Sequence, residues 1–225
     1  MLNVEEVAKM MDLSCVRADN TLDEIRAAAD TAKKYNCIAV FALPAHTPYL
    51  AKLLCDRPDI LIGGTVGFPD GGATTTGKVH EAKELLLMGV SELDMVINIG
   101  WLKAGDDEAV ASDIRSVVEA AGSIPVKVII ECHYLTDEQI VRASRICVHA
   151  GASFVKTGTG WAPTGATLEN IELIARTVGD DCHVKAAGGV RDTETLLAMH
   201  RLGASRFGVG AGTAVAILEN LGSLK

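Results

Sequence analysis

Ser153-Phe154-Val155-Lys156-Thr157-Gly158-Thr159-Gly160 reads as a short buried strand that runs into a glycine-rich turn. Lys156 stands where that strand should end. An ammonium at the end of an apolar strand is poorly solvated, so its charged form is disfavoured. A lysine that sheds its charge near neutral pH is a nucleophile and can form a Schiff base with a carbonyl compound. Taken alone, Lys156 reads more readily as a surface lysine whose head reaches water, since most lysines are surface residues. The pattern around it matters more, because two further short apolar strands carry a lysine, Val126–Glu131 with Lys127 and Cys182–Ala186 with Lys185.

Working outward, the same unit repeats along the chain. Strands are expected at Met11–Val16, Ile38–Leu43, Ile60–Val66, Glu92–Ile97, Val126–Glu131, Ser153–Thr157, Cys182–Ala186 and Ser205–Val209. Several are nearly continuous apolar runs, as in strands buried on both faces. Helices are expected between them. Thr21, Thr136, Thr167 and Asp192 supply N-caps, Glu24 completes a capping box, and Gly89, Gly122, Gly151 and Gly203 supply stops. A short amphipathic helix, Asn3–Met10, precedes the first strand. Eight strand–helix units imply a parallel sheet, and in 225 residues they fit a single (β/α)8 TIM barrel spanning 1–225. An open doubly wound sheet is the alternative; the glycine fingerprint expected after its first strand is missing.

The formal net charge of −8 argues against broad nucleic-acid or anionic-membrane binding, while a local anion site remains compatible with it. No apolar run approaches the ~20 residues of a membrane span. The N-terminus lacks the basic start and apolar core of a signal peptide. Six scattered cysteines suit reduced thiols, and hence a cytoplasmic protein. The six histidines show no metal-ligand spacing, and Glu131-Cys132-His133 places neighbours on opposite strand faces, so no metal is expected.

In a barrel of this kind, reacting groups stand at the carboxyl ends of the strands. Lys156 and Lys185 end neighbouring strands. If both face one cavity, each raises the cost of the other's charge, and the more desolvated lysine should deprotonate first. Asp94, flanked by apolar side chains, could offset the remaining charge and move protons. Lys127, in mid-strand, needs a partner, and the two-residue period nominates Glu131. Asp12 and Ser14 alternate on the first strand and either point into the same mouth or serve turns. The turns Gly188-Gly189-Val190-Arg191 and Gly208-Val209-Gly210-Ala211-Gly212 follow the last two strands, where barrels hold phosphate on backbone amides. Thr159 and Gly160 lie in the turn after Lys156. Trp161 reads as loop packing or as a pocket wall.

The chain resembles the deoxyribose-phosphate aldolase family over most of its length. Met11-Asp12-Leu13, Glu92-Leu93-Asp94-Met95-Val96-Ile97-Asn98-Ile99-Gly100, Lys127-Val128-Ile129-Ile130-Glu131, Phe154-Val155-Lys156-Thr157 with Thr159-Gly160, and Val184-Lys185-Ala186 with Gly188-Gly189-Val190-Arg191 carry the resemblance. It implies a class I aldolase with no cofactor beyond a lysine imine. Lys156 would form the Schiff base, Lys185 would tune it and Asp94 would relay protons. Acetaldehyde would be the donor and glyceraldehyde 3-phosphate the acceptor. The family usually has serine at Gly158 and serines at Gly210 and Ala211, and a smaller or basic residue at Trp161. Those departures remove phosphate donors and leave open an unphosphorylated acceptor. A phosphosugar isomerase or synthase without covalent catalysis, and a catalytically silent binding barrel, are the competing classes. Barrels of this type often pair, so a homodimer is the expected assembly.

Overall fold

The computed structural model describes residues 2–223. Eight parallel strands close into a barrel in sequence order: β1 (Met11–Cys15), β2 (Ala39–Ala42), β3 (Leu61–Val66), β4 (Glu92–Val96), β5 (Val126–Ile129), β6 (Phe154–Lys156), β7 (His183–Ala187) and β8 (Ala204–Val209). Closure is made by β8 on β1, with Asp12 opposite Gly208. The helices are α1 (Val4–Ala8), α2 (Leu22–Tyr35), α3 (Thr47–Leu54), α4 (Thr75–Leu87), α5 (Ile99–Ala104), α6 (Asp107–Ala121), α7 (Asp137–His149), α8 (Leu168–Val178), α9 (Thr193–Arg201) and α10 (Ala211–Ser223). None of the described helices is long and apolar enough to cross a membrane.

Local chemistry explains most boundaries. Thr21, Thr136 and Thr167 each accept from the amide three residues on, and Glu24, Gln139 and Asn170 return the bond to the cap amide. The closed barrel excludes the open-sheet alternative. α5 is additional to the helices expected from the sequence; Asn98 caps it by accepting from the Trp101 amide. Met11, Leu13, Leu93, Met95, Val126, Val128, Val155, Val184 and Phe207 turn outward to the main apolar cluster between strands and helices. That leaves the alternate positions facing the barrel interior, and seven of the residues there are charged.

Two local features shape this interior. Gly63 has no side chain because a Cβ there would lie 2.2 Å from the Phe41 ring, which fills the space. Between β7 and β8 the register slips by one residue near Val184, so Lys185 faces Arg206 rather than Ser205. The extra residue is a bulge, and it turns Arg206 inward.

Candidate active site

Seven ionisable side chains, all buried, meet inside the barrel. Lys156 at the end of β6 and Lys185 on β7 share a rung. Both donate to Asp94 Oδ2, each at 2.7 Å. Lys185 Nζ also lies 2.6 Å from Asp12 Oδ2. Arg206 bridges Asp12 Oδ1 and Glu92 Oε2, each at 2.6 Å. Lys127 donates to Glu92 Oε2 at 2.6 Å, with Asp94 Oδ1 at 3.5 Å and Asp12 Oδ2 at 3.9 Å. The Lys185 and Lys127 ammoniums also lie 4.2 and 4.8 Å from the centre of the Phe41 ring.

Among the described residues, then, four interior cations face three interior carboxylates. The surplus charge falls on Lys156. It has one carboxylate partner, shared with Lys185, whereas Lys185 has two. Burial lowers the Lys156 pKa to about 8, with Asp94 opposing and the Lys185 charge assisting the fall. Burial also works against a charged Lys185, but Asp12 and Asp94 together outweigh it and raise its pKa. Burial disfavours ionised Asp94 too, yet Lys156, Lys185 and Lys127 overcome it and hold the carboxyl far below the usual range. Both lysines are buried, so burial does not rank them; the number of carboxylate partners does.

Lys156 reaches the floor of a cavity of about 360 Å³ at the carboxyl ends of β1, β6, β7 and β8. Of the residues nominated for substrate, Ser14, Thr159, Gly160, Gly188, Gly189, Arg191, Gly208 and Gly210 line it. Asp12 does not; it lies a layer below, fully buried in the ion network. Arg17 and Thr213 also line the cavity, and neither is among the residues expected there from the sequence. Arg17 stands beside the mouth on the loop after β1, and Thr213 is in the first turn of α10. The space opposite Gly188, Gly189 and Gly210 is the cavity itself. Trp161 is outside its wall: its indole N–H donates to Val16 O at 2.9 Å, its ring meets Phe68 edge-on, and Arg17 stacks over it.

The pairing expected of Glu131 is also corrected. β5 ends at Ile129, and Glu131 adopts a left-handed backbone with φ of +52°, so the two-residue alternation no longer holds there. Its carboxylate turns away from Lys127 and accepts from the Thr159 amide and hydroxyl. It thereby braces the loop that follows Lys156. Close backbone packing braces the same loop from the other side: a Cβ on Gly165 would lie 2.0 Å from the Gly188 carbonyl oxygen. Thr65, opposite Asp94 on β3, is buried with no hydrogen-bond partner for its hydroxyl.

A parallel barrel with an amine of lowered pKa at the floor of a polar cavity defines an enzyme equipped for carbonyl chemistry. Residues 6–216 match the model of the DeoC/LacD family aldolases. The chain belongs to that family. It is 46% identical over 216 residues to a deoxyribose-phosphate aldolase of Klebsiella pneumoniae subsp. pneumoniae, covering 95% of this chain and 87% of that one. It is 44% identical over 218 residues to the enzyme of the same name from Staphylococcus carnosus, covering 97% and 98%. Among solved structures, an aldolase named QR15 superposes with a TM-score of 0.90 at 32% identity, covering 99% of this chain and 97% of that one. The tetrameric deoxyribose phosphate aldolase of Aeropyrum pernix gives 0.89 at 27% identity, covering 99% and 94%.

Proposed function

We propose that this chain catalyses the reaction its curated relatives are named for, the reversible cleavage of 2-deoxy-D-ribose 5-phosphate into acetaldehyde and D-glyceraldehyde 3-phosphate, through an imine on Lys156. The observation that carries the reading is the uneven ion cluster, whose surplus proton sits on the one lysine that reaches the cavity.

Neutral Lys156 attacks the C1 aldehyde of the open-chain sugar, and the carbinolamine takes up a proton on its hydroxyl and loses water to give a protonated imine. A base removes the C3 hydroxyl proton. The C2–C3 bond then breaks, its electron pair flows into the iminium, and glyceraldehyde 3-phosphate leaves with its new aldehyde. The remaining enamine takes a proton on carbon, and hydrolysis releases acetaldehyde and the free amine. Asp94 accepts from both ammonium groups, which supports a role for it in moving protons to and from Lys156. Lys185 keeps its charge, and that charge adds to burial in making Lys156 easier to deprotonate. The protonated imine is itself the electron sink, so this route calls for no metal.

Arg17, Arg191 and Thr213 in the first turn of α10 line the same cavity as Lys156, and a cavity with two guanidinium groups and a helix start suits a phosphate. They support the phosphorylated acceptor despite the glycines at Gly158 and Gly210. A homodimer and a cytoplasmic setting complete the reading; light scattering and cell fractionation test them. Treatment with acetaldehyde and borohydride should leave an ethyl group on Lys156. An unmodified Lys156 under conditions of turnover, or a Lys156→Arg variant that keeps its activity, would rule out the imine and favour the isomerase class. Comparing turnover of deoxyribose 5-phosphate with that of deoxyribose tests the phosphate end.

A further inference from the structure

The ion cluster extends well below the cavity. Arg206 and Glu92 are not in the cavity wall, and neither touches Lys156. Each nevertheless changes the charge balance that Lys156 completes. The groups facing the interior can be taken strand by strand. β1 contributes Asp12; β4 contributes Glu92 and Asp94; β5 contributes Lys127; β6 contributes Lys156; β7 contributes Lys185, with His183 exposed at the start of the strand against Phe154; and β8 contributes Arg206. Phe41 on β2 and Gly63 and Thr65 on β3 bring no charge. Glu131 is turned onto Thr159, and Arg17 and Arg191 are exposed at the rim.

In a medium of low polarity, opposite charges must nearly match. With every group ionised the interior carries one positive charge too many. Arginine does not give up its proton in this range, so Arg206 forces the surplus onto the lysines. It also occupies Asp12 and Glu92 from below, which leaves Asp94 as the sole close counter-ion of Lys156.

We propose that Arg206 and Glu92 are positioning residues that set the proton affinity of Lys156 through the Asp12–Lys185–Asp94 and Lys127 contacts, with opposite signs. The inference rests on Lys156 being the imine-forming amine. Removing the Arg206 charge leaves three lysines against three carboxylates, so Lys156 can keep its proton. Removing the Glu92 charge leaves four cations against two carboxylates, so Lys156 must release its proton at lower pH. The one-residue register slip beside Val184 belongs to the same device, since it brings Arg206 into the interior.

The test is the pH dependence of imine trapping on Lys156, followed by mass spectrometry of the intact protein after acetaldehyde and borohydride, beside the pH profile of kcat/KM. Three variants are compared with the native chain: Arg206→Gln, Arg206→Lys and Glu92→Gln. Arg206→Gln should move the midpoint up by about one pH unit, which lowers trapping and kcat/KM about tenfold at neutral pH and restores them at high pH. Arg206→Lys should return the midpoint towards the native value, because the charge is replaced. Glu92→Gln should move it down by a similar amount, while trapping at high pH stays native.

Midpoints that stay put in both neutralising variants, or that move the same way, overturn the proposal. So does an Arg206→Gln defect that high pH does not relieve, since that is the mark of a merely structural role. If Arg206→Gln does not fold, Glu92→Gln decides alone, and a midpoint that is unchanged or raised contradicts the inference. Absence of trapping in the native chain would instead remove the lysine-imine reading itself, so the two failures are distinguishable.

Discussion

Lys78 and Lys156 are both buried lysines bonded to an aspartate, yet only one is arranged for chemistry. Lys78 lies behind β4, between α4 and α6, where it donates to Asp113 Oδ2 at 2.6 Å and to Val96 O at 2.8 Å. Thr75 donates to the other oxygen of Asp113. One cation meets one carboxylate, and no described cavity includes either residue. Lys156 shares its single carboxylate with Lys185, within a cluster that has a surplus cation, and it borders open space. Burial alone therefore does not separate the two lysines; uneven pairing beside an opening does, and it is what the proposed imine chemistry at Lys156 rests on.

The comparison breaks most visibly through activity. Lys156→Arg should reduce turnover on the order of 10⁶-fold, the scale lost when a covalent nucleophile is removed, because a guanidinium cannot form the imine. Lys78→Met should leave kcat per folded molecule near the native value. A loss of kcat in correctly folded Lys78→Met would show that the two lysines are not separable in this way.

Stability should respond in the opposite order. Lys78→Met strands the buried Asp113 charge and should cost about 3–5 kcal/mol, with Lys78→Met/Asp113→Leu recovering much of it. Lys156→Met removes the surplus cation and should raise stability at pH 7 by about 1–2 kcal/mol. Urea unfolding at pH 7 checks both signs.

A pH series sharpens the point. The folded-state pKa of Lys156, about 8, lies below its ordinary value of 10.5. The neutral form is thus favoured by folding. Its contribution to stability is complete above the unfolded value of 10.5 and disappears as the pH falls through about 8. Relative to Lys156→Met, the native chain should gain stability across that window. A flat difference would place the amine at its ordinary pKa.

The smallest effect concerns Thr65. Its hydroxyl is buried and unpartnered in the free protein, so Thr65→Val should change stability by no more than about 0.5 kcal/mol. A larger loss in calorimetry would reveal a bond that the hydroxyl makes in solution.

The fold was readable because its signals are local. Caps at Thr21, Thr136 and Thr167 and the short apolar strands mark the alternation without long-range information. Lys156, Lys185 and Asp94 could be picked out because a charge within an apolar strand is conspicuous. Glu92 was within reach, since it lies two residues before Asp94 on the same strand face. Arg206 was not, because a register slip between two strands turned it inward. The Lys127–Glu131 pairing failed for a related reason: the left-handed backbone at Glu131 ends the alternation that the pairing assumed. Arg17 carried no pattern in the sequence, and only the closing of β8 on β1 brings its loop beside α10.

The most direct test is a titration of the lysine side chains by NMR in the free protein, with the signals assigned from Lys156→Arg and Lys185→Arg. The account predicts that the Lys156 amine changes charge with a midpoint near pH 8 while Lys185 remains charged through and above that range. A Lys156 midpoint near the ordinary lysine value, or a Lys185 that releases its proton first, would contradict it.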